Sequence, residues 1–248
     1  MAVSQEGMIV DMTDTHTPYE ISVTPSSVAR ILWILTILLV LASVFGQVST
    51  YVFGHGSLLG LVRLFNVDRE NNIPTFFSAF LFILAALLIL SVVRLERKQK
   101  PRLTFFWLTL CLGFFYIAYD ELFPIHEGWK APDLGAFGQG LTNSNPFKWV
   151  IPAALIVLVL SILFIKFFLR LPVKTRLTFL LAGFLYLLGS ILSEFVGGLY
   201  LENHGGANLT YGLITTVEES LEMAGIILFI QGLLGYMADK RLRLKFTR

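Results

Sequence analysis

Six acidic residues fall where an apolar chain has least use for charge. Asp120 and Glu121 close one hydrophobic stretch, Glu194 interrupts a second, and Glu218, Glu219 and Glu222 share a third. A charged side chain at the centre of a membrane-crossing helix costs about 2.5 to 3.5 kcal/mol, so it requires a partner, water or a proton. At about 100° per residue, Thr215, Glu218, Glu219 and Glu222 fall on one helical face at spacings i, i+3, i+4 and i+7. Ser190, Glu194 and the Gly197-Gly198 pair likewise fall together, and small residues there admit a close neighbour. The depths agree too. Asp120 lies 18 residues from Arg102, Glu194 18 from Arg176 and Glu222 18 from Lys240, each about 27 Å of helix. Gln47, counted from Arg30, and Pro152, counted from Arg170, reach nearly the same level. Three helices are therefore expected to deliver carboxylates to one plane.

Ionised carboxylates facing one another in a low dielectric repel, so the arrangement implies bound cations, shared protons or basic partners. His126, Lys148, His204 and Arg69 are too few to neutralise the set. A divalent metal ion would do so directly, and oxygen ligands with one histidine suit Mn, Fe, Ca or Zn. The expected ligands are Asp120, Glu121, Glu194, Glu218, Glu219 and Glu222, with His126 or Glu127 as a further ligand or as general base. Carboxylates from several facing helices are how helical bundles build dimetal sites, although the Glu-x-x-His spacing of the soluble pattern is missing. Pro124, between Asp120 and Glu127, is expected to kink or end its helix.

Sharper motifs are absent. His126-Glu127 lacks the second histidine of HExxH, and Ser190 and Ser193 lack a histidine partner and glycine frame. Asp68-Arg69-Glu70-Asn71-Asn72 lacks the glycine and distant glutamate of a calcium loop, and reads as a capped turn able to close over the site. Cys111 reads as a packing residue, and Trp107, Trp129 and Trp149 as interface residues. Tyr116 and Tyr119 lie near the acidic level, where a phenol can hydrogen-bond a ligand.

The elements that must position these groups follow from composition. Of 248 residues, 55% are hydrophobic against 15% charged, and the mean hydropathy is +0.72, which describes an integral membrane protein. The net charge of +2 offers no basic excess for nucleic acid, and the single cysteine excludes a disulfide framework. Six stretches are long enough to span a bilayer: roughly 28-50, 74-95, 103-123, 147-169, 177-200 and 211-237. The expected fold is all-α, a polytopic six-transmembrane-helix bundle. Residues 1-27 read as a disordered cytoplasmic tail, and 28-248 as a single transmembrane domain. Lys and Arg gather in the second and fourth connections and after Lys240, so both termini are expected to be cytoplasmic, with the plasma membrane as the location. Leu58, Leu61, Val62 and Phe65 suggest a short interfacial helix between spans one and two.

Three functions fit. The first is a metal-dependent enzyme in the lipid bilayer, holding its metal at an outward-facing carboxylate site and acting on a lipid-soluble small molecule. The second is a proton-coupled or cation transporter using the same acids as a relay. The third is an accessory subunit whose acids bind a partner helix. Against transport, the inner half of the last span, Ile226 to Leu234, holds only Gln231 as a polar residue, so the site is one-sided.

Overall fold

The computed structural model describes residues 24–97, 101–123, 125 and 147–240, which are helical with no strand among them. The helices are α1 (Pro25–Tyr51), α2 (Leu61–Phe65), α3 (Ile73–Glu96), α4 (Pro101–Leu122), α5 (Phe147–Phe168), α6 (Val173–Leu187), α7 (Glu194–His204) and α8 (Leu209–Asp239). Local chemistry starts the long ones. Thr24 caps α1 by accepting from the Ser27 N–H at 3.2 Å, with Pro25 in the first turn. Asn72 accepts from the Thr75 N–H at 3.1 Å to open α3, and Asn208 from the Tyr211 N–H at 2.9 Å to open α8. α4 ends at Leu122, two residues before Pro124.

Five helical stretches are long and apolar enough to cross a membrane: Pro25–Tyr51, Ile73–Arg94, Leu103–Leu122, Val173–His204 and Leu209–Asp239. The sixth expected span is helical over Phe147–Phe168, and Pro152–Phe168 within it is an apolar helix. α1 begins at Pro25, inside the stretch expected to be tail, because Thr24 and Pro25 make a ready cap. The helix expected around Leu58 is also shorter than its spacing suggested. Leu58 and Leu59 have left-handed φ of 41° and 57° and Gly60 a φ of 89°, so regular helix starts only at Leu61. α6 and α7 form one continuous rod through a π-helical segment, Leu188–Ser193, that no periodicity argument foresaw.

α8 is the axis of the bundle, packed against α1, α3 and α6, while α3 pairs with α4. Glycines set the closest approaches. A Cβ on Gly225 would lie 2.8 Å from the Ala182 carbonyl oxygen and from the Tyr186 nitrogen, so α6 and α8 touch backbone to backbone there. Away from the acidic level the interior is aromatic and aliphatic. Trp107 is fully buried against Phe167, Phe179 and Tyr236, and Phe114 and Phe179 both stack on Phe229. Trp107 is thus a core residue rather than the interface residue its sequence position suggested, because three aromatic neighbours enclose its indole. Cys111 packs as expected, its Sγ 3.4 Å from the Ala86 carbonyl oxygen. Many of the large apolar side chains point outward, as they do when lipid rather than water surrounds a bundle.

Candidate functional site

At one end of the bundle α4, α5, the α6–α7 rod, α8 and the loop before α3 enclose a cavity of about 440 Å³. Its walls differ. α8 contributes Tyr211, Thr215, Glu218, Glu219 and Glu222, and the first residue of α7 is Glu194. α4 contributes Asp120 and Glu121 together with Tyr116 and Ile117, and α5, among its described residues, Ala153 and Val157. All six described acids singled out by spacing therefore line one cavity. His126 and Glu127 lie outside the described residues. Tyr119 is turned away and packs on Phe123, with ring centroids 4.9 Å apart.

The helices bring the acids together by close backbone approach. A Cβ on Gly189 would lie 2.8 Å from both the Glu218 carbonyl oxygen and the Glu222 Cγ, so the π segment rests directly on the acidic face of α8. Such segments leave the α ladder and are frequent at functional sites. Within it, the Ser190 hydroxyl donates to the Tyr186 carbonyl at 3.0 Å and the Ser193 hydroxyl to the Leu188 carbonyl at 3.1 Å. Both hydroxyls are engaged by the helix backbone. The Glu194 and Glu218 carboxyls lie against each other in the wall. Two ionised carboxylates offer each other no donor, so their contact invites positive charge. Asp120 also accepts from the Ile125 N–H at 3.0 Å, at the end of α4.

The loop before α3 forms the cover, with Val67, Asp68, Arg69 and Glu70 all in the wall. The loop is held by its own hydrogen bonds. Asn72 donates to the carbonyls of Asn66 at 2.6 Å and Arg63 at 3.2 Å, Thr75 to that of Arg69 at 3.1 Å, and Asn66 accepts from the Asp68 N–H at 3.1 Å. The reading of Asp68 to Asn72 as a capped turn is matched by these bonds. Burial pushes the Asp68 carboxyl above its ordinary value. The Arg69 guanidinium and the Thr215 hydroxyl pull it back down, and the Glu194 charge raises it slightly further.

A further polar tie joins this cover to α8. The Gln47 amide donates to Thr216 Oγ1 at 2.9 Å and to Ser43 Oγ at 3.3 Å, and the same Ser43 oxygen accepts from the Val67 N–H at 3.1 Å. Gln47 therefore stands near the acidic level, as its depth suggested, but outside the cavity as a brace between helices. Its carbonyl oxygen is buried without a hydrogen-bond partner and presses on Gly212, where a Cβ would come within 2.7 Å. Sequence reasoning missed Tyr186 and Tyr211 in the wall. Tyr186 sits four residues before Ser190, so the face that carries Glu194 pointed to it.

Among the described residues no three His, Cys, Asp or Glu side chains are arranged to hold a metal ion. The expected metal centre is therefore not preformed in them. No curated protein and no solved structure matches this chain. A family model does, over residues 31–236, which include every described wall residue of the cavity. The chain belongs to that family, the Domain of unknown function (DUF8692).

Proposed function

We propose that the chain is a six-span membrane protein, both termini cytoplasmic, that holds a divalent cation against the carboxyl wall of its cavity and acts there on a lipid-soluble substrate. The observation that carries this reading is the wall itself. Glu194, Glu218, Glu219 and Glu222 face one cavity, and Arg69 is the one basic residue among the described lining. Repulsion among carboxylates grows as the dielectric falls, so positive charge is what such a wall favours. Mn, Fe, Ca and Zn all accept carboxylate oxygen.

With no preformed metal group among the described residues, uptake would draw the carboxyls together around the ion. Metal and proton then compete, and occupancy falls as pH falls. The half of the bundle beyond the cavity, filled by Trp107, Phe114, Phe179 and Phe229, supports a closed site over a passage. Elemental analysis of chelator-free protein, beside a Glu194→Gln/Glu222→Gln variant, is the test. Near-stoichiometric metal that disappears in the variant is the expected result. Equal content in both proteins, or none in either, sinks the reading.

The Glu194–Glu218 contact favours a second reading, in which the acids carry protons for cation transport. Counterion-dependent proton flux in vesicles, abolished by the same two substitutions, would put that reading first.

A further inference from the structure

The connection between α1 and α3 divides into two unlike halves. Its second half, Asn66 to Asn72, is mostly polar and covers the cavity. Its first half leaves Tyr51, Val52, Phe53, Leu59, Leu61 and Leu64 exposed, an apolar patch of the kind that marks a protein or membrane contact. The four residues grouped by helical spacing do not make this surface. Leu58, Val62 and Phe65 are half-buried, and Val62 lies against α1, 3.5 Å from where a Cβ on Gly46 would stand. The backbone builds the surface instead, since Leu58 and Leu59 hold left-handed φ and Leu59 is fully exposed. The segment is also tied down. The His55 N–H donates to the Ser49 carbonyl at 2.9 Å, the Ser49 hydroxyl to the His55 carbonyl at 3.2 Å, and the Gly60 N–H to the Ser57 carbonyl at 2.8 Å.

Depth and continuity point to what covers the patch. Counted from Arg30, about 30 Å of helix, the thickness of a hydrocarbon core, ends at Thr50. Counted back from Arg94, the same length ends at Pro74. The connection therefore leaves and re-enters the bundle at one boundary level. The outward stripe of α1, Ile34, Leu38, Leu41 and Phe45, runs on into Val52, which at 100° per residue falls on the same line. Tyr51 stands at that level, where aromatic residues ring a bilayer. We propose that Phe53, Leu59, Leu61 and Leu64 insert into the leaflet at the cavity end, which makes Tyr51 to Leu64 a membrane-seated anchor. Acyl chains take the four apolar side chains, and the exposed Arg63 guanidinium meets the phosphates. His55 and Ser57, exposed at the tip between the apolar residues, stay in water. The cover begins at Val67, whose N–H is held by Ser43, so the anchor fixes the height of the cavity's cover in the membrane.

The test is the depth of nitroxide labels on the full chain, in a Cys111→Ala background and phosphatidylcholine nanodiscs, read by collision with oxygen and with a water-soluble nickel chelate. Labels on Phe53→Cys and Leu59→Cys should lie about 5 to 10 Å inside the headgroup boundary and favour oxygen, as a label on Phe45→Cys does. A label on Ser57→Cys should favour nickel, like one on Asn203→Cys. Leu61→Cys is the further site should Leu59→Cys misfold. Nickel access at Phe53 and Leu59 equal to that at Asn203 overturns the proposal. Spin–spin broadening at Leu59 that vanishes on dilution with unlabelled protein also overturns it, because a second copy of the chain would then be the cover. The anchor does not draw on the metal reading. A chain without metal that shows this depth defeats the metal reading alone, and nickel access in a chain that binds metal defeats the anchor alone.

Discussion

The contact between the Glu194 and Glu218 carboxyls makes these two residues the most informative single positions in the chain. Glu218→Gln puts an amide donor against Glu194 in place of a carboxyl that can ionise. That variant should keep its stability to within about 1 kcal/mol while losing cation uptake and the proton release that accompanies it. Glu218→Ala removes the partner outright and should cost about 1 to 3 kcal/mol, because it leaves a carboxyl in the wall unsatisfied. Thermal unfolding, with titration calorimetry in two buffers of different protonation enthalpy, separates the outcomes. A Glu218→Gln protein that still releases protons on binding would show that the pair is structural. These acids were legible in the sequence because charge is rare inside apolar runs, so type and spacing alone singled them out. Gln47 and Tyr186 were harder to place. An amide or phenol serves equally as a brace between helices or as a wall residue, and only the azimuth of the neighbouring helix decides which.

Hydropathy located the helices within a few residues, yet it is blind to how closely they approach. The contact of the π segment with α8 depends on Gly189, where an added Cβ would meet the Glu218 carbonyl oxygen at 2.8 Å and the Glu222 nitrogen at 3.1 Å. Both are backbone atoms, so neither can step aside as a flexible side chain does, and the helices must part. Gly189→Ala should destabilise the fold by about 1 to 3 kcal/mol and weaken cation binding by moving Glu222 and Glu218 away from Glu194. Gly183, two turns earlier on the same rod, supplies the control because a Cβ there meets nothing within 4 Å. Gly183→Ala should gain about 0.5 to 1 kcal/mol through helix propensity and leave binding alone. Chemical unfolding of the two variants side by side reads the difference, and equal effects would remove the close approach as a cause. The π segment escaped sequence analysis for a related reason. Leu188 to Ser193 is as apolar as its flanks, so one turn of looser helix leaves no mark on a hydropathy profile.

At the scale of the whole chain, the cavity constrains the topology more tightly than helix length does. Asp120 stands near the C-terminal end of α4, and Glu194 stands at the C-terminal side of the α6–π junction, yet both line the same cavity. α4 and the α6–α7 rod must then rise toward the same end of the bundle, and the chain has to descend between them. α5 is the described helix available for that descent. Its 22 residues span about 33 Å, and Ala153 and Val157, near its start, are the part that reaches the cavity. A crossing α5 puts Ser57 and Asn203 on one face of the membrane and Lys174 and Asp239 on the other. Without that crossing, Lys174 would join Ser57, and Asn203 would change sides. The background is a Cys111→Ala protein, since the one native thiol is buried, with single cysteines introduced at these four positions. An impermeant maleimide on intact cells should label Ser57→Cys and Asn203→Cys, and should reach Lys174→Cys and Asp239→Cys only after permeabilisation. The clustering of Lys and Arg around Arg97, Lys174 and Lys240 sets the expected hand of that result, with those ends toward the cytoplasm. Labelling of Lys174→Cys on intact cells together with Ser57→Cys would mean that α5 lies along the membrane.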